Sequence, residues 1–399
     1  MQAVLGEQLL ALESQSLRRF LRAPIPSRHP DPGDQNAPLI NFGSNDYLGL
    51  AAEPFIAQAA IEATGRHGTG AGASRLVCGN QAPHVDLENA LSAWKGTEAA
   101  LAFSSGYATA LGTIPALVGP EDVVILDKLC HACIIDGAKL SGAVIRVFPH
   151  NNLDRMESHL QWARKSHPKA RVLVATESVF SMDGDIAPLE GIVDLKERYG
   201  AWLLVDEAHA AGILGTTGGG LVQALGLGNR VEVQMGTLSK ALGCSGGYIC
   251  GSRTLVDWLI NKARSLIFST APSPASAASA AASVRWMSSI GAQDRRAKLF
   301  KNVALFQKTW PRFILSQTPI VPVIAGKNEA ALMLSERLLA AALLVPAIRY
   351  PTVPRGRARL RVTLSASHDS DSIERLTRAL REGIATLEGS VEMAQKEIS

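Results

Sequence analysis

Short, unbroken apolar runs recur along the first three-quarters of the chain, and most of them end on a polar or small residue. Residues 99–104, 123–127, 144–148 and 172–176 each fit a strand covered on both faces, as parallel sheets require. Leu203-Leu204-Val205 supplies another that closes on Asp206; 231–235 and a shorter run at 246–250 extend the set. Between these runs the period changes. Leu153, Met156 and Leu160 share one face of a helix reaching Lys165, and a second helix over 188–199 starts at Pro188 and stops at Gly200. Residues 271–284 are rich in alanine, the best helix former, which predicts a helix rather than a linker, opened by Pro272 and Pro274. Strands alternating with helical crossovers predict an α/β fold built on a mostly parallel, helix-covered sheet.

Past residue 290 the pattern restarts on a smaller scale, with strands expected at 319–324 and 359–363 and a closing helix at 373–387. The expected organisation is a helical arm and Pro-rich connector (1–40), a large domain (41–288) and a smaller C-terminal α/β domain (289–399). In the arm, Leu9, Leu10, Leu12 and Leu17 precede Arg18, Arg19 and Arg22, a pattern for packing on the body or on a partner subunit. It lacks the features of a secretory signal, and no apolar run reaches membrane-spanning length, so a cytoplasmic protein without membrane insertion is expected.

Composition narrows the class. Hydrophobic residues make up 47% of 399, and 35 glycines, many beside Ser, Thr or Ala, suit an α/β enzyme with phosphate-sized turns. Forty basic and 36 acidic residues give a net +4 spread along the chain, which offers nucleic acid no massed patch. Five cysteines, an odd count in a long chain, fit a reducing compartment. Cys130-His131-Ala132-Cys133 has no second ligand pair at structural-zinc spacing, so no metal is expected.

The chemistry concentrates at strand ends. Asp206 and His209 follow one apolar run, and Lys240 lies 31 residues after His209 among Thr237, Ser239 and Gly243. Taken singly, Asp206 also fits a helix cap and His209 a core histidine. Together, a carboxylate, an imidazole and a lone lysine suit an aldehyde cofactor held as a Schiff base. Pyridoxal 5'-phosphate (PLP) is the natural candidate: its ring nitrogen needs an anion and its aldehyde an amine. Ser104-Ser105-Gly106-Tyr107-Ala108-Thr109 leaves a strand and enters a helix, where backbone N–H groups can meet a phosphate. It is neither a Walker A loop nor a GxGxxG turn. His131 and Ser181 lie just past other strand ends. Asn45 sits in a segment fit to cover the site, and Arg349 can clamp a carboxylate. Arg355, Arg357, Arg359 and Arg361 alternate around a strand and read as a solvated sheet face.

On these motifs the chain resembles the α-oxoamine synthases, of the PLP fold-type I, aspartate aminotransferase-like superfamily. The resemblance runs from Asn41-Phe42-Gly43-Ser44-Asn45-Asp46-Tyr47-Leu48-Gly49 to Ala366-Ser367-His368. It is most specific at Thr176-Glu177-Ser178-Val179-Phe180-Ser181-Met182-Asp183-Gly184-Asp185, Val205-Asp206-Glu207-Ala208-His209 and Thr237-Leu238-Ser239-Lys240. It implies that Lys240 carries the cofactor, Asp206 pairs with the pyridine nitrogen, and His131 stacks on the ring. His209 and Ser181 would stand near the phenolic oxygen, and Gly106, Tyr107 and Thr237 would cradle the phosphate. Thr270 would reach the phosphate of the neighbouring subunit in a homodimer with interfacial sites. Asn45, Arg349 and Arg19 would bind substrate.

The implied reaction is a decarboxylative Claisen condensation of a small amino acid with an acyl thioester, delivered by CoA or an acyl carrier protein. Lys240, His131, Asp206 and His209 would be the catalytic set. The wording is nearest the branch that joins L-alanine to a pimeloyl thioester in biotin synthesis. Sister branches use glycine or serine, and an inactive PLP-fold partner subunit is the non-enzymatic alternative. Ala73 and Cys78 depart from the branch's usual residues.

Overall fold

A computed structural model describes residues 1–21, 39–310 and 317–396, with side chains to 386. The connector expected at 24–38, with Arg22, lies outside the described residues. A short first strand, β1 (Ile40–Asn41), precedes β2 (Ala99–Phe103), β3 (Val123–Asp127), β4 (Val144–Phe148), β5 (Val172–Glu177), β6 (Trp202–Asp206), β7 (Val233–Thr237) and β8 (Gly247–Gly251). Then follow β9 (Ile320–Gly326), β10 (Leu343–Leu344), β11 (Ala347–Ile348) and β12 (Ala358–Thr363). The chain divides into two compact units, 46–181 with 185–297, and 1–45 with 182–184 and 298–399.

The first unit holds a seven-stranded sheet in the order β2-β8-β7-β6-β5-β3-β4. Its strands are parallel except β8, which runs antiparallel to both β2 and β7. Every residue of β2, β3, β5, β7 and β8 is buried, which is why these segments read as apolar runs without alternation. Leu101, Leu126, Leu173, Leu204, Met235 and Ile249 join Ile114 and Ile134, from the covering helices Gly106–Leu117 and Ala132–Ser141, in one core cluster. Each such side chain contributes roughly 1.5–3 kcal/mol by leaving water. Parallel strands bring their C-terminal residues to one edge, and Glu177 and Asp206 are register partners there.

In the second unit β11, β12 and β9 form an antiparallel sheet with β12 in the middle, and β1 pairs with β10. The arm is a helix, Gln2–Ser14, with no buried residue. Arg359 and Arg361 are buried, not solvated, because β12 is a central strand. Arg359 pairs with Asp183 and donates to the Met182 carbonyl, 3.2 Å away; Arg361 donates to Asn45 Oδ1 and Thr363 Oγ1. The Arg359 charge is thereby paired with a carboxylate, and Arg361 N–H groups are hydrogen-bonded to neutral oxygens. Among the described residues, no helix is long and apolar enough to cross a membrane.

Candidate active site

A cavity of about 230 Å3 opens at the C-terminal edge of the large sheet. Lys240 reaches it from the turn after β7, a loop tied by Leu238 N–H to Gly246 O (3.0 Å) and Cys244 N–H to Leu238 O (2.8 Å). Its Nζ lies 2.8 Å from His209 Nε2, and His209 Nδ1 lies 2.5 Å from the Tyr47 hydroxyl. Tyr47 is fully buried, so the imidazole is held from behind and the lysine is held by the imidazole.

Asp206 lines the same cavity, one oxygen accepting the Ala208 N–H at 2.9 Å. The adjacent Glu207 is buried elsewhere, paired with Lys95 and accepting the Val222 N–H. Of this adjacent pair, Asp206 is thus the carboxylate left for the cavity. Burial raises its pKa, and the nearby Lys240 charge pulls it back in part. Glu177 stands beside it, pushed up to about 8 by burial and then by Asp206; the Lys240 charge and the backbone N–H groups of His131 and Ser181 oppose the shift. Its Oε1 is buried with no partner among the described residues.

The opposite wall suits an anion. Ser105 caps the helix Gly106–Leu117 by accepting the Ala108 N–H. The N–H groups of Gly106 and Tyr107, at the helix start, have no acceptor within the helix. Thr237 Oγ1 and Ser239 Oγ are 2.8 Å apart nearby, and both residues line the cavity. A Cβ on Gly247 would lie 2.6 Å from Gly106 N, so only glycine lets β8 approach this cradle. At the rim, His131 caps its helix through Nδ1, which accepts the Cys133 N–H at 3.3 Å. Burial lowers its pKa, and a neutral ring that accepts the Cys133 N–H at Nδ1 carries its proton on Nε2. Its ring meets Tyr107 edge-on at 6.4 Å.

The cavity thus brings together Lys240, Asp206, His209, His131, Gly106, Tyr107 and Thr237. Ser181 is buried but outside its lining, and Thr270 is exposed, bridged to Ser74. Asn45, Arg349 and Arg19 belong to the other unit. There Arg349 donates to the carbonyls of Ser16 and Arg18, and Arg19 to Thr352 Oγ1 at 3.3 Å. Burial and then the Arg19 charge lower the Arg349 pKa. Two residues went unassigned in the sequence reading. Glu177 carried the same signal as Asp206, an acid closing an apolar strand; Tyr47 carried none, since its role depends on a partner 162 residues away.

The donor set fits a phosphorylated pyridine aldehyde. It offers a buried carboxylate for a ring cation, an amine for the aldehyde, and a helix N-terminus with hydroxyls for the phosphate.

Residues 37–380 match the model of the family described as aminotransferase class I and II. The 8-amino-7-oxononanoate synthase of Trichlorobacter lovleyi is 45% identical over 386 residues, covering 94% of this chain and 96% of that protein. The enzyme of the same name from Geobacter sulfurreducens is 44% identical over 382 residues, covering 95% and 97%. Among solved structures, a serine palmitoyltransferase from S. paucimobilis with bound PLP and myriocin superposes with a TM-score of 0.84 at 31% identity, covering 88% of each chain. An 8-amino-7-oxononanoate synthase from Francisella tularensis gives 0.74 at 25% identity, covering 88% of this chain and 99% of that one.

Proposed function

Because the chain belongs to the aminotransferase class I and II family and, within it, to the α-oxoamine synthases, we propose that it binds PLP at Lys240 and joins L-alanine to a pimeloyl thioester. The products are 8-amino-7-oxononanoate, CO2 and the free thiol. The observation that carries this reading is 44–45% identity to enzymes of that name across nearly the whole chain, with Lys240, His209 and Asp206 gathered in one cavity.

Bound there, the cofactor supplies an electron sink for negative charge at the amino acid's α-carbon. Asp206 offers its carboxylate to the ring nitrogen, where a held proton recovers part of what burial costs the acid. Burial and then the neighbouring Asp206 raise the Glu177 pKa, which favours holding its proton beside the Asp206 carboxylate. Lys240 Nζ removes the α-proton and later returns it; His209 and Tyr47 fix where that amine sits. His131 donates from Nε2 to the thioester carbonyl oxygen as it gains charge, and then assists loss of CO2. Gly106, Tyr107 and Thr237 hold the phosphate, Ser181 and His209 serve the phenolic oxygen, and Thr270 serves the site of a second copy in a homodimer. Arg349, Arg19 and Asn45 are assigned to substrate on the family resemblance alone, their guanidiniums and amide suiting a carboxylate.

The likeness to serine palmitoyltransferase supports a second reading, a sister enzyme acting on serine or glycine. Among the solved structures the serine palmitoyltransferase is the more similar of the two, 31% against 25%; the curated relatives at 44–45% over 94–95% of the chain favour the first reading. Cys78 is exposed and Ala73 accepts the Ala271 N–H through its carbonyl, so neither departure alters the cavity lining. The deciding experiment supplies the PLP-loaded protein with pimeloyl-CoA and, in separate reactions, L-alanine, glycine and L-serine, and identifies products by mass. Alanine-dependent 8-amino-7-oxononanoate supports the first reading. Products from serine or glycine alone would replace it.

A further inference from the structure

His150 lies outside every role assigned above, yet its ring stands where three loops of the C-terminal sheet edge meet. It follows β4 by two residues. Its Nδ1 is 3.0 Å from Asp127 Oδ1 and its Nε2 is 2.6 Å from Asp185 Oδ2. Carboxylate oxygens accept, so two of them on one imidazole call for a proton on each nitrogen. Burial alone would lower the His150 pKa; the hydrogen bonds and charges of Asp127 and Asp185 carry it up to about 10.

Each carboxylate also holds backbone or neighbouring side chain. Asp127, the last residue of β3, accepts the N–H of Leu129 through one oxygen and that of Asn151 through the other, both at 2.8 Å. Leu129 is two residues before His131. Asp185 accepts from Asn151 Nδ2 at 2.9 Å, and its carbonyl accepts the Phe180 N–H at 3.0 Å, next to Ser181. Phe180 packs edge-on against the His150 ring, centroids 4.3 Å apart. Glu177 lines the cavity together with His131 on the other side of these loops. The imidazole is therefore a charged spacer between the loop bearing His131 and the loop bearing Ser181.

We propose that His150 is a positioning residue: held between Asp127 and Asp185, its ring sets the separation of the His131 and Ser181 loops, and with it the place of His131 in the cofactor cavity. This rests on the reading of that cavity as a PLP site. A glutamine can bond one carboxylate but cannot span both with a cation, so His150→Gln should let the loops drift. Misplacement of a binding group by an ångström is felt strongly.

The test compares the apo forms of wild type, His150→Gln and Asp185→Asn by PLP titration, by circular dichroism of the bound cofactor band, and by thermal unfolding. The expected result is a PLP Kd raised about tenfold or more in His150→Gln, with an altered cofactor dichroism. Asp185→Asn, at a part-exposed position that leaves the Asp127 bond in place, should shift both signals less and in the same direction. Its thermal midpoint should stay near wild type, which guards against a variant that merely unfolds. Wild-type Kd and dichroism in folded His150→Gln, or in Asp185→Asn should His150→Gln not fold, would overturn the proposal alone. Wild-type protein that takes up no PLP would overturn it together with the cofactor reading.

Discussion

Where β5, β6 and β7 begin, the large sheet has a hollow of about 640 Å3 lined by Trp202, Trp258, Leu117 and Leu255; where they finish, the cavity with Lys240 measures about 230 Å3. The larger hollow also contains charges, but each is answered. Glu98 caps a helix through the Arg253 N–H, Glu232 takes Lys196 and the Leu203 N–H, and Arg171 pairs with Asp122. The smaller one keeps two buried acids with raised pKa values, one with an unpartnered oxygen, around one amine. Size favours the first hollow and chemistry the second. Electrostatic cost left standing in a folded protein is the better guide to function, because a ligand can recover it.

Substitutions at the two ends should separate them. Lys240→Ala should cut turnover by more than about 1,000-fold while the apo thermal midpoint stays close to wild type, read by product assay and calorimetry. Asp206→Asn, which removes the anion meant for the ring nitrogen, should lower kcat by roughly 100- to 1,000-fold. Glu177→Gln tests the electrostatics directly through stability. Glu177 has a folded pKa of about 8 against an ordinary 4.5, so the folded state binds its proton more tightly. Its contribution is full below pH 4.5, declines as pH rises, and is gone above 8. The apo variant should therefore unfold at a temperature that gains on wild type between pH 5 and 8.5. Parallel melting curves across that range would remove the argument from burial. The smallest effect belongs to the other end: Trp258→Phe loses a hydrogen bond to the Ala116 carbonyl, costs about 1 kcal/mol, and leaves kcat within about twofold.

The same contrast explains what the sequence made legible. Strands buried on both faces declare themselves as apolar runs, and β3 and β4 lie where the runs at 123–127 and 144–148 put them. Parallel strands collect their ends, so Asp206, His131 and Lys240 could be grouped from the chain alone. What failed was whatever depended on a distant partner. Arg359 and Arg361 alternate as a solvated face would, but Asp183 and Asn45 neutralise or bond them inside. The antiparallel course of β8 has no local signature either, since a buried strand reads the same in both directions. Tyr47 entered only as one letter of a motif, and its contact with His209 comes from the folding of its own loop against the sheet edge.

The most direct measurement is to load the protein with PLP, reduce it with borohydride, digest it and locate the pyridoxyl group by mass spectrometry. The expected result is a single adduct on the peptide containing Lys240, lost in Lys240→Ala. An adduct on another lysine, or none after loading, would contradict the assignment of this cavity as the cofactor site.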